Sequence, residues 1–252
     1  MRKLIVANWK MNKTIGEARQ FCHELLPRIE GYNGVDIAIC PPFTCLESVS
    51  NLLSNSKVAL GAQNLFWKEK GDYTGEISPT MLVDVGCKYV IVGHSERRHI
   101  LGETDLIVNR KLKAALEAGL IPILCVGETL QERENNRAKE VIKDQLMASL
   151  EDVNLNAPNI VIAYEPVWAI GTGVNASSED AQEMCLYIRN KLNELYGEEL
   201  ASNIPILYGG SVKENNLADF LNEKDVDGAL VGGASLDAQS FAELIRIGAD
   251  GK

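Results

Sequence analysis

The 252-residue chain has no long apolar run and no excess of basic side chains. No stretch approaches the ~20 consecutive apolar residues that a membrane-spanning helix needs. The 25 Lys and Arg residues are outnumbered by 35 Asp and Glu residues, so the formal net charge is −10. Because nucleic acids are bound through clustered basic side chains, we expect neither a membrane nor a nucleic acid as a partner.

The chain also has no CxxC pair among its six cysteines, and it is too long to need disulfides for stability. Near the N-terminus, the apolar run 4–7 is too short for the core of a signal peptide and is followed at once by Asn8 and Lys10. These two observations predict reduced thiols and a cytoplasmic protein.

No segment rich in proline, glycine or serine divides the chain. Its 46% hydrophobic and 24% charged residues are typical of a folded globular protein and exclude intrinsic disorder. The sequence therefore predicts a single domain that covers residues 1–252.

Short apolar runs rich in β-branched residues recur along the whole chain. They are continuous rather than alternating, which is typical of parallel strands covered on both faces. The eight predicted strands are residues 4–7, 35–40, 58–60, 89–92, 121–126, 160–164, 204–208 and 228–231.

Segments with helical periodicity lie between these runs. Residues 177–196 repeat apolar side chains every three or four positions, and Ser177 with Asp180 predicts a capping box at the start of that helix. A further helix is predicted around Phe241. The charged stretch 129–150 predicts a longer helical segment whose inner side chains include Leu130 and Ile142.

The chain thus contains eight βα units of about 31 residues each, which places it in the α/β class. Eight parallel units form either a closed barrel or a wide open sheet. Open sheets usually bind ligands at a glycine-rich turn after the first strand, but here residues 8–12 contain no glycine. We therefore predict a single (β/α)8 barrel, whose chemistry lies at the carboxyl ends of the strands.

Glu165 directly follows the sixth predicted strand and precedes an apolar loop. Partial burial there is expected to raise the basicity of the carboxylate, which suits a general base. A salt bridge at the rim is the alternative interpretation. The loop 166–174 contains Trp168, Ile170 and two glycines, and we predict that it is a lid over a bound ligand.

His94 is the one histidine of three that ends a predicted strand. If a helical turn begins at Ser95, its free N–H groups disfavour a protonated imidazole at His94. A metal site formed with Glu96 and His99 is an alternative that the spacing does not favour.

Lys10, after the first strand, is either a solvated surface lysine or a cation that neutralises an anionic substrate.

Two glycine-rich segments, 209–211 and 232–235, follow the seventh and eighth predicted strands. Barrel enzymes often bind phosphate through these two loops, because glycine lets backbone N–H groups approach the oxygens.

The loop 66–78, which begins at Phe66 and ends at Ser78, is unusually long and contains Trp67 and Tyr73. Its aromatic side chains favour a subunit contact, and a loop folded over its own barrel is the alternative.

The ordered motifs of the chain resemble the triosephosphate isomerase family, over residues 7 to about 236. The motifs that carry the resemblance are ANWKMN (7–12), CPPF (40–43), GAQN (61–64), YTGEIS (73–78), GHSERR (93–98), GETD (102–105), LCVGE (124–128), AYEPVWAIGTG (163–173), YGGS (208–211) and VGGAS (231–235). Leu101, Val174 and the pair 177–178 depart from the usual family residues, and no motif residue needed for chemistry is missing.

The resemblance implies a TIM barrel that interconverts dihydroxyacetone phosphate and D-glyceraldehyde 3-phosphate in glycolysis and gluconeogenesis, without cofactor or metal. It implies roles that are already known for this family. They are Glu165 as base, His94 as neutral electrophile, Lys10 and Asn8 as stabilisers of negative charge, Glu96 as support for Lys10 or as a proton carrier, backbone N–H groups of Gly171, Ser211, Gly232 and Gly233 as phosphate ligands, and Thr74 in loop 66–78 as a contact in a homodimer.

Two other functions compete with this one. Another phosphate-binding barrel enzyme, such as a lyase or a sugar-phosphate isomerase, shares the two glycine-rich loops but does not need His94 together with the 163–173 motif. A non-catalytic binding protein on the same barrel is expected to have lost Glu165, His94 or Lys10, and all three are present.

Overall fold

Eight parallel strands close into a barrel in chain order, with β1 paired to both β2 and β8. The computed structural model describes residues 2–170 and 176–250. The strands are β1 (Lys3–Asn8), β2 (Val35–Cys40), β3 (Val58–Ala62), β4 (Cys87–Val92), β5 (Ile121–Val126), β6 (Val161–Tyr164), β7 (Ile206–Tyr208) and β8 (Gly228–Val231). The predicted (β/α)8 TIM barrel is confirmed.

Three strands, β2, β5 and β8, have the predicted ends, and the other five differ from the prediction by one or two residues at one or both ends. The seventh strand shows a physical reason for the difference. Pro205 has no N–H to donate to a neighbouring strand, so β7 begins at Ile206, although the carbonyl of Pro205 still accepts a hydrogen bond from Ile162 N.

The helices surround the barrel, as expected for connections between parallel strands. In the described residues they are α1 (Ile15–Ile29), α2 (Leu46–Leu53), α3 (Pro79–Asp84), α4 (Ser95–His99), α5 (Asp105–Glu117), α6 (Leu130–Glu134), α7 (Ala138–Ser149), α8 (Ser178–Tyr196), α9 (Glu198–Ala201), α10 (Leu217–Asn222) and α11 (Ala238–Asp250). None of these helices is long and apolar enough to span a membrane.

The structure agrees with the predicted start of α8 but not with the predicted single helical segment 129–150. The capping box of α8 is confirmed, since the N–H of Asp180 donates to Ser177 Oγ and the N–H of Ser177 donates to the Asp180 carboxylate, both at 3.1 Å. The single segment 129–150 is instead two helices, α6 and α7, because the chain turns at Asn136 with a left-handed φ of 57°. Leu130 is 52% exposed, so its predicted inner position was wrong, whereas Ile142 is buried.

The core has two layers, which explains why the strand sequences are apolar without alternation. Alternate strand residues such as Leu4 and Val6 fill the inside of the barrel, and their neighbours Ile5 and Ala7 pack outward in the layer of helices. All six cysteines are buried, free thiols. Because every strand runs in the same direction, the predicted site residues that the structure describes meet at one end of the barrel.

Candidate active site

An open pocket of about 670 Å³ lies at the carboxyl end of the barrel. It brings together seven of the nine site residues predicted from the sequence, namely Asn8, Lys10, His94, Glu165, Ser211, Gly232 and Gly233. Glu96 reaches the site through its contact with Lys10. Gly171 lies outside the described residues.

Glu165 is buried and its carboxylate is held by two donors from the loop after β4. Its Oε1 lies 2.9 Å from Nε2 of His94, and its Oε2 accepts a hydrogen bond of 2.9 Å from the N–H of Ser95. The backbone N–H of Glu165 continues the strand pairing by donating to the carbonyl of Val126 at 2.8 Å. A rim salt bridge does not describe this carboxylate, since its side chain is 2% exposed.

Two glycines leave room for Glu165. A Cβ atom added to Gly127 would lie 1.7 Å from the carbonyl oxygen of Glu165, and one added to Gly209 would lie 3.0 Å from its Cγ. The ends of β5 and β7 therefore approach Glu165 so closely that larger residues at these two positions would displace it.

The hydrogen bonds of His94 indicate where its proton lies. His94 is the residue before α4, and its Nδ1 accepts a hydrogen bond of 3.2 Å from the N–H of Glu96. An accepting Nδ1 carries no proton, so the proton of the neutral ring is on Nε2 and faces Glu165. The helical turn expected after His94 is present, and the geometry favours the neutral imidazole.

The pKa values of this pair reflect opposing effects. Burial raises the pKa of Glu165, but the attraction of His94 and the hydrogen bonds from His94 and Ser95 outweigh burial, so the pKa lies below its ordinary value. The predicted rise in the basicity of Glu165 is therefore wrong for this arrangement. Burial lowers the pKa of His94, but the nearby carboxylates of Glu165 and Glu96 outweigh burial and raise the pKa above its ordinary value. This shift favours the protonated ring and opposes the effect of the Glu96 N–H, which holds Nδ1 unprotonated.

Lys10 points its ammonium group into the pocket from a strained backbone. Its φ is 52°, in the left-handed region that favours glycine. Its N–H donates to the side chain of Asn8 at 3.1 Å, and its Nζ lies 2.7 Å from an oxygen of Glu96. Glu96 thus forms a direct ion pair with Lys10.

The two glycine-rich segments present free backbone donors. Within residues 2–170 and 176–250, the N–H groups of Ser211, Gly232 and Gly233 donate to no carbonyl or side-chain oxygen. Ser211 is held by its hydroxyl, which donates to the carbonyl of Ala169 at 2.7 Å. Free N–H groups on two neighbouring loops are suited to binding a phosphate group.

The loop after Glu165 is attached to the barrel at its beginning. Trp168 donates from Nε1 to the buried carboxylate of Glu128 at 2.8 Å, and the same oxygen accepts from the hydroxyl of Tyr164 at 3.1 Å. The guanidinium of Arg133 lies 4.6 Å from the Trp168 ring centre. The remainder of the predicted lid, residues 171–174, lies outside the described part of the chain.

Sequence reasoning gave no role to Glu128 or Gln63, although each lies two or three positions after a predicted strand. Gln63 donates from Nε2 to the carbonyls of Lys10 and Cys40, each at 2.9 Å. Both side chains act on neighbouring loops and not on the pocket itself. Their one sequence signal is a polar residue one or two positions after the end of a buried strand.

Exposed apolar side chains follow the four neighbouring strands β1 to β4. Met11 is 97% exposed, and Ile100 is 75% exposed. In loop 66–78, Phe66 stacks on Trp67 with ring centres 4.0 Å apart, while Tyr73 is 42% exposed. This side of the barrel therefore carries the apolar surface expected of a subunit contact.

Comparisons with known proteins agree with this geometry. The family model described as triosephosphate isomerase matches residues 3–248. The triosephosphate isomerase of Symbiobacterium thermophilum is 52% identical over 99% of this chain and 98% of that protein, and that of Dictyoglomus thermophilum is 51% identical over 97% and 99%. A crystal structure of triosephosphate isomerase from Bartonella henselae has a TM-score of 0.90 and 40% identity, and the match covers 98% of this chain and 99% of that one.

Proposed function

We propose that the pocket at the carboxyl end of the barrel is the catalytic site, since the chain belongs to the triosephosphate isomerase family. The chain is an enzyme of glycolysis that interconverts dihydroxyacetone phosphate and D-glyceraldehyde 3-phosphate. The observation that supports this location most strongly is the contact of 2.9 Å between the buried Glu165 carboxylate and Nε2 of His94, beside the ammonium group of Lys10.

Glu165 is the proposed base. It removes a proton from carbon 1 of dihydroxyacetone phosphate and returns it to carbon 2 of the resulting enediolate. To do so, the carboxylate has to leave His94 and Ser95 and turn toward the substrate. Because burial remains while these stabilising contacts are lost, we expect the pKa of Glu165 to rise on substrate binding, which strengthens the base.

His94 is the proposed electrophile. Its Nε2–H donates to Glu165 in this structure, and the same donor becomes available to a substrate oxygen when Glu165 turns away. A neutral imidazole can polarise the carbonyl and then pass protons between the two oxygens of the enediolate. The N–H of Glu96 at Nδ1 supports this neutral form.

Lys10 and Asn8 are proposed to stabilise negative charge on the bound substrate and on the enediolate. Glu96 holds the ammonium group of Lys10 in place through their ion pair. The phosphate is proposed to bind the N–H groups of Ser211, Gly232 and Gly233, with Gly171 from the lid completing the set. We further propose that closure of the lid excludes water and hinders loss of phosphate from the enediolate.

We propose that the active form is a cytoplasmic homodimer. The exposed apolar side chains after β1 to β4 need a partner of similar chemistry, and a second copy of the chain supplies one. Loop 66–78, with Thr74 near its tip, is the proposed contact. Each subunit is proposed to be one domain, residues 1–252, that acts without cofactor or metal.

A coupled assay tests the function directly. We expect dihydroxyacetone phosphate to be converted to D-glyceraldehyde 3-phosphate at full rate in the presence of a strong metal chelator. Absence of conversion, or conversion restored only by added metal, would contradict the proposed mechanism.

A further inference from the structure

The loop between β1 and α1 contains a second lysine in a strained conformation. Lys13 has a φ of 75°, in the left-handed region, only three positions after Lys10 with its φ of 52°. Non-glycine residues adopt this region rarely, and such strain persists only where surrounding contacts hold it. In the proposed mechanism Lys10 stabilises negative charge, whereas Lys13 has no role.

The ammonium group of Lys13 is held on three sides. Its Nζ donates to the carbonyl of Leu236 at 2.7 Å, and it lies 5.3 Å from the ring centre of Trp9 and 4.9 Å from that of Phe21. Such positions over aromatic faces attract a cation. At the backbone, the carbonyl of Lys13 accepts a hydrogen bond of 3.5 Å from the thiol of Cys45.

Leu236 follows the 3₁₀ turn Gly233–Ser235. Gly232, directly before this turn, and Gly233, at its start, carry two of the free N–H groups proposed to bind phosphate. The N–H of Leu236 donates to the carbonyl of Gly233 at 3.1 Å, and Ser235 donates from its hydroxyl to the carbonyl of Gly232 at 2.7 Å. A hydrogen bond to Leu236 therefore acts on the whole turn.

The same two loops come together inside the pocket. A Cβ atom added to Gly232 would lie 3.7 Å from the Nζ of Lys10. The distance between the cation of Lys10 and the N–H groups of Gly232 and Gly233 thus depends on how the loop after β1 sits against the loop after β8. The side chain of Lys13, on the loop after β1, donates a hydrogen bond to the carbonyl of Leu236 at the end of the loop after β8.

We propose that Lys13 is a positioning residue for phosphate binding, which joins the loop that carries Lys10 to the turn that presents Gly232 and Gly233. This inference rests on the proposed location of the phosphate. Lys13 acts through the two loops and does not touch the substrate. Its loss is expected to weaken binding of the phosphate more than it slows the chemical step.

The test compares Lys13→Met with Lys13→Arg, using inorganic phosphate as a competitive inhibitor and dihydroxyacetone phosphate as substrate. Because hydrogen bonds made by charged groups are among the stronger ones, we expect Lys13→Met to raise the inhibition constant and KM by about tenfold each. We expect kcat to fall by less than about threefold. Lys13→Arg keeps the charge and a donor, and should restore most of the affinity.

Lys3→Met is the matched control. Lys3 also donates from Nζ to a backbone carbonyl of a distant segment, that of Val226 at 2.6 Å, but at the opposite end of the barrel. We expect this variant to lose thermal stability while KM and phosphate inhibition stay at wild-type values. This control therefore distinguishes a general loss of stability from a loss of positioning at the phosphate site.

Lys13→Gly provides a second test should the methionine variant fail to fold, since glycine accepts the left-handed backbone without strain. Unchanged KM and phosphate inhibition in a folded Lys13 variant would overturn the inference, even if its melting temperature fell. A wild-type enzyme that isomerises the substrate but is not inhibited by phosphate would overturn the phosphate site and this inference together. A wild-type chain without isomerase activity would overturn the proposed function itself.

Discussion

At the scale of single residues, the site depends on contacts between distant parts of the chain. Ser95 and Glu165 are 70 positions apart, yet the N–H of one donates to the carboxylate of the other at 2.9 Å. Together with His94, this contact stabilises the position of the proposed base. In the proposed mechanism, substrate binding replaces both donors before the carboxylate accepts a proton.

The close approach of Gly209 to Glu165 can be tested with a single methyl group. Gly209→Ala places a Cβ 3.0 Å from Cγ of Glu165, so the carboxylate has to shift by a few tenths of an ångström. Because catalysis is sensitive to small displacements of the base, we expect kcat to fall by about tenfold and KM to change much less. Steady-state kinetics on dihydroxyacetone phosphate measures both.

Gly16→Ala is the control for this substitution, since a Cβ at Gly16 in α1 meets no atom within 4 Å. Its kinetic constants should equal those of the wild type. Equal kcat values for Gly209→Ala and the wild type would show that the position of Glu165 does not depend on Gly209.

The candidate residues Glu165, His94 and Lys10 could be singled out from the sequence, because each lies one or two positions after the end of a strand. Their electrostatics could not. The direction of the pKa shift of Glu165 depends on donors from His94 and Ser95, which belong to a different βα unit. The sequence indicates that Glu165 is buried, but it does not indicate which hydrogen-bond donors the fold brings to its carboxylate.

At the level of helices and strands, sequence signals were most reliable where the residues of one short segment determine its secondary structure. The strands are short apolar runs, and the capping box of α8 lies within four residues. The segment 129–150 was harder to predict. A second capping box, between Thr129 and Glu132, starts α6, and the left-handed residue Asn136 separates it from α7. Apolar periodicity alone did not reveal that turn.

The capping box of α8 lies directly after the proposed lid, and its contribution to stability can be measured. Ser177→Ala removes the acceptor for the N–H of Asp180. We expect the free energy of unfolding to fall by about 1 kcal/mol, as is usual for the loss of such a cap. Urea unfolding at one fixed protein concentration measures this change.

The neighbouring Ser178→Ala serves as the control, because the Ser178 hydroxyl makes just an exposed, long contact of 3.5 Å to Glu179. This variant should differ little from the wild type. If both variants unfolded at the same urea concentration as the wild type, the cap would not contribute to the stability of α8.

At the scale of the whole molecule, the acidic net charge does not oppose binding of a phosphate dianion. Residues 1–126 contain 15 basic and 13 acidic side chains, and residues 127–252 contain 10 and 22. The acidic half includes both glycine-rich loops, but segments 209–212 and 231–235 contain no charged side chain. The proposed binding uses backbone N–H groups there and the cation of Lys10 from the other half. One closed barrel contains strands from both halves, which supports the proposed single domain.

The two-layer core should protect the cysteines from alkylation. Burial raises the pKa of Cys22 to about 11 and that of Cys87 to about 12, so the reactive thiolate is scarce at pH 8. We expect the native protein to react with iodoacetamide far more slowly than the urea-unfolded chain, in which all six thiols react. Mass spectrometry of timed samples measures both rates. Rapid labelling of a native thiol at pH 8 would contradict the buried positions.

The proposed dimer depends on the loop after β3. Replacing residues 66–78 by a short glycine-containing linker removes Tyr73 and the Phe66–Trp67 stack from the apolar surface. We expect light scattering to give a dimer mass for the wild type and a monomer mass for the variant. Equal masses would exclude this loop as the subunit contact.

The kinetics of Glu165→Asp and Glu165→Gln test whether Glu165 is the base. Aspartate keeps the carboxylate but withdraws it by one methylene group, and glutamine keeps the size but cannot accept the proton. We expect kcat on dihydroxyacetone phosphate to fall by about 10²-fold in the aspartate variant and further in the glutamine variant, with KM changed by a few-fold at most. Wild-type kcat in both variants would show that Glu165 is not the base.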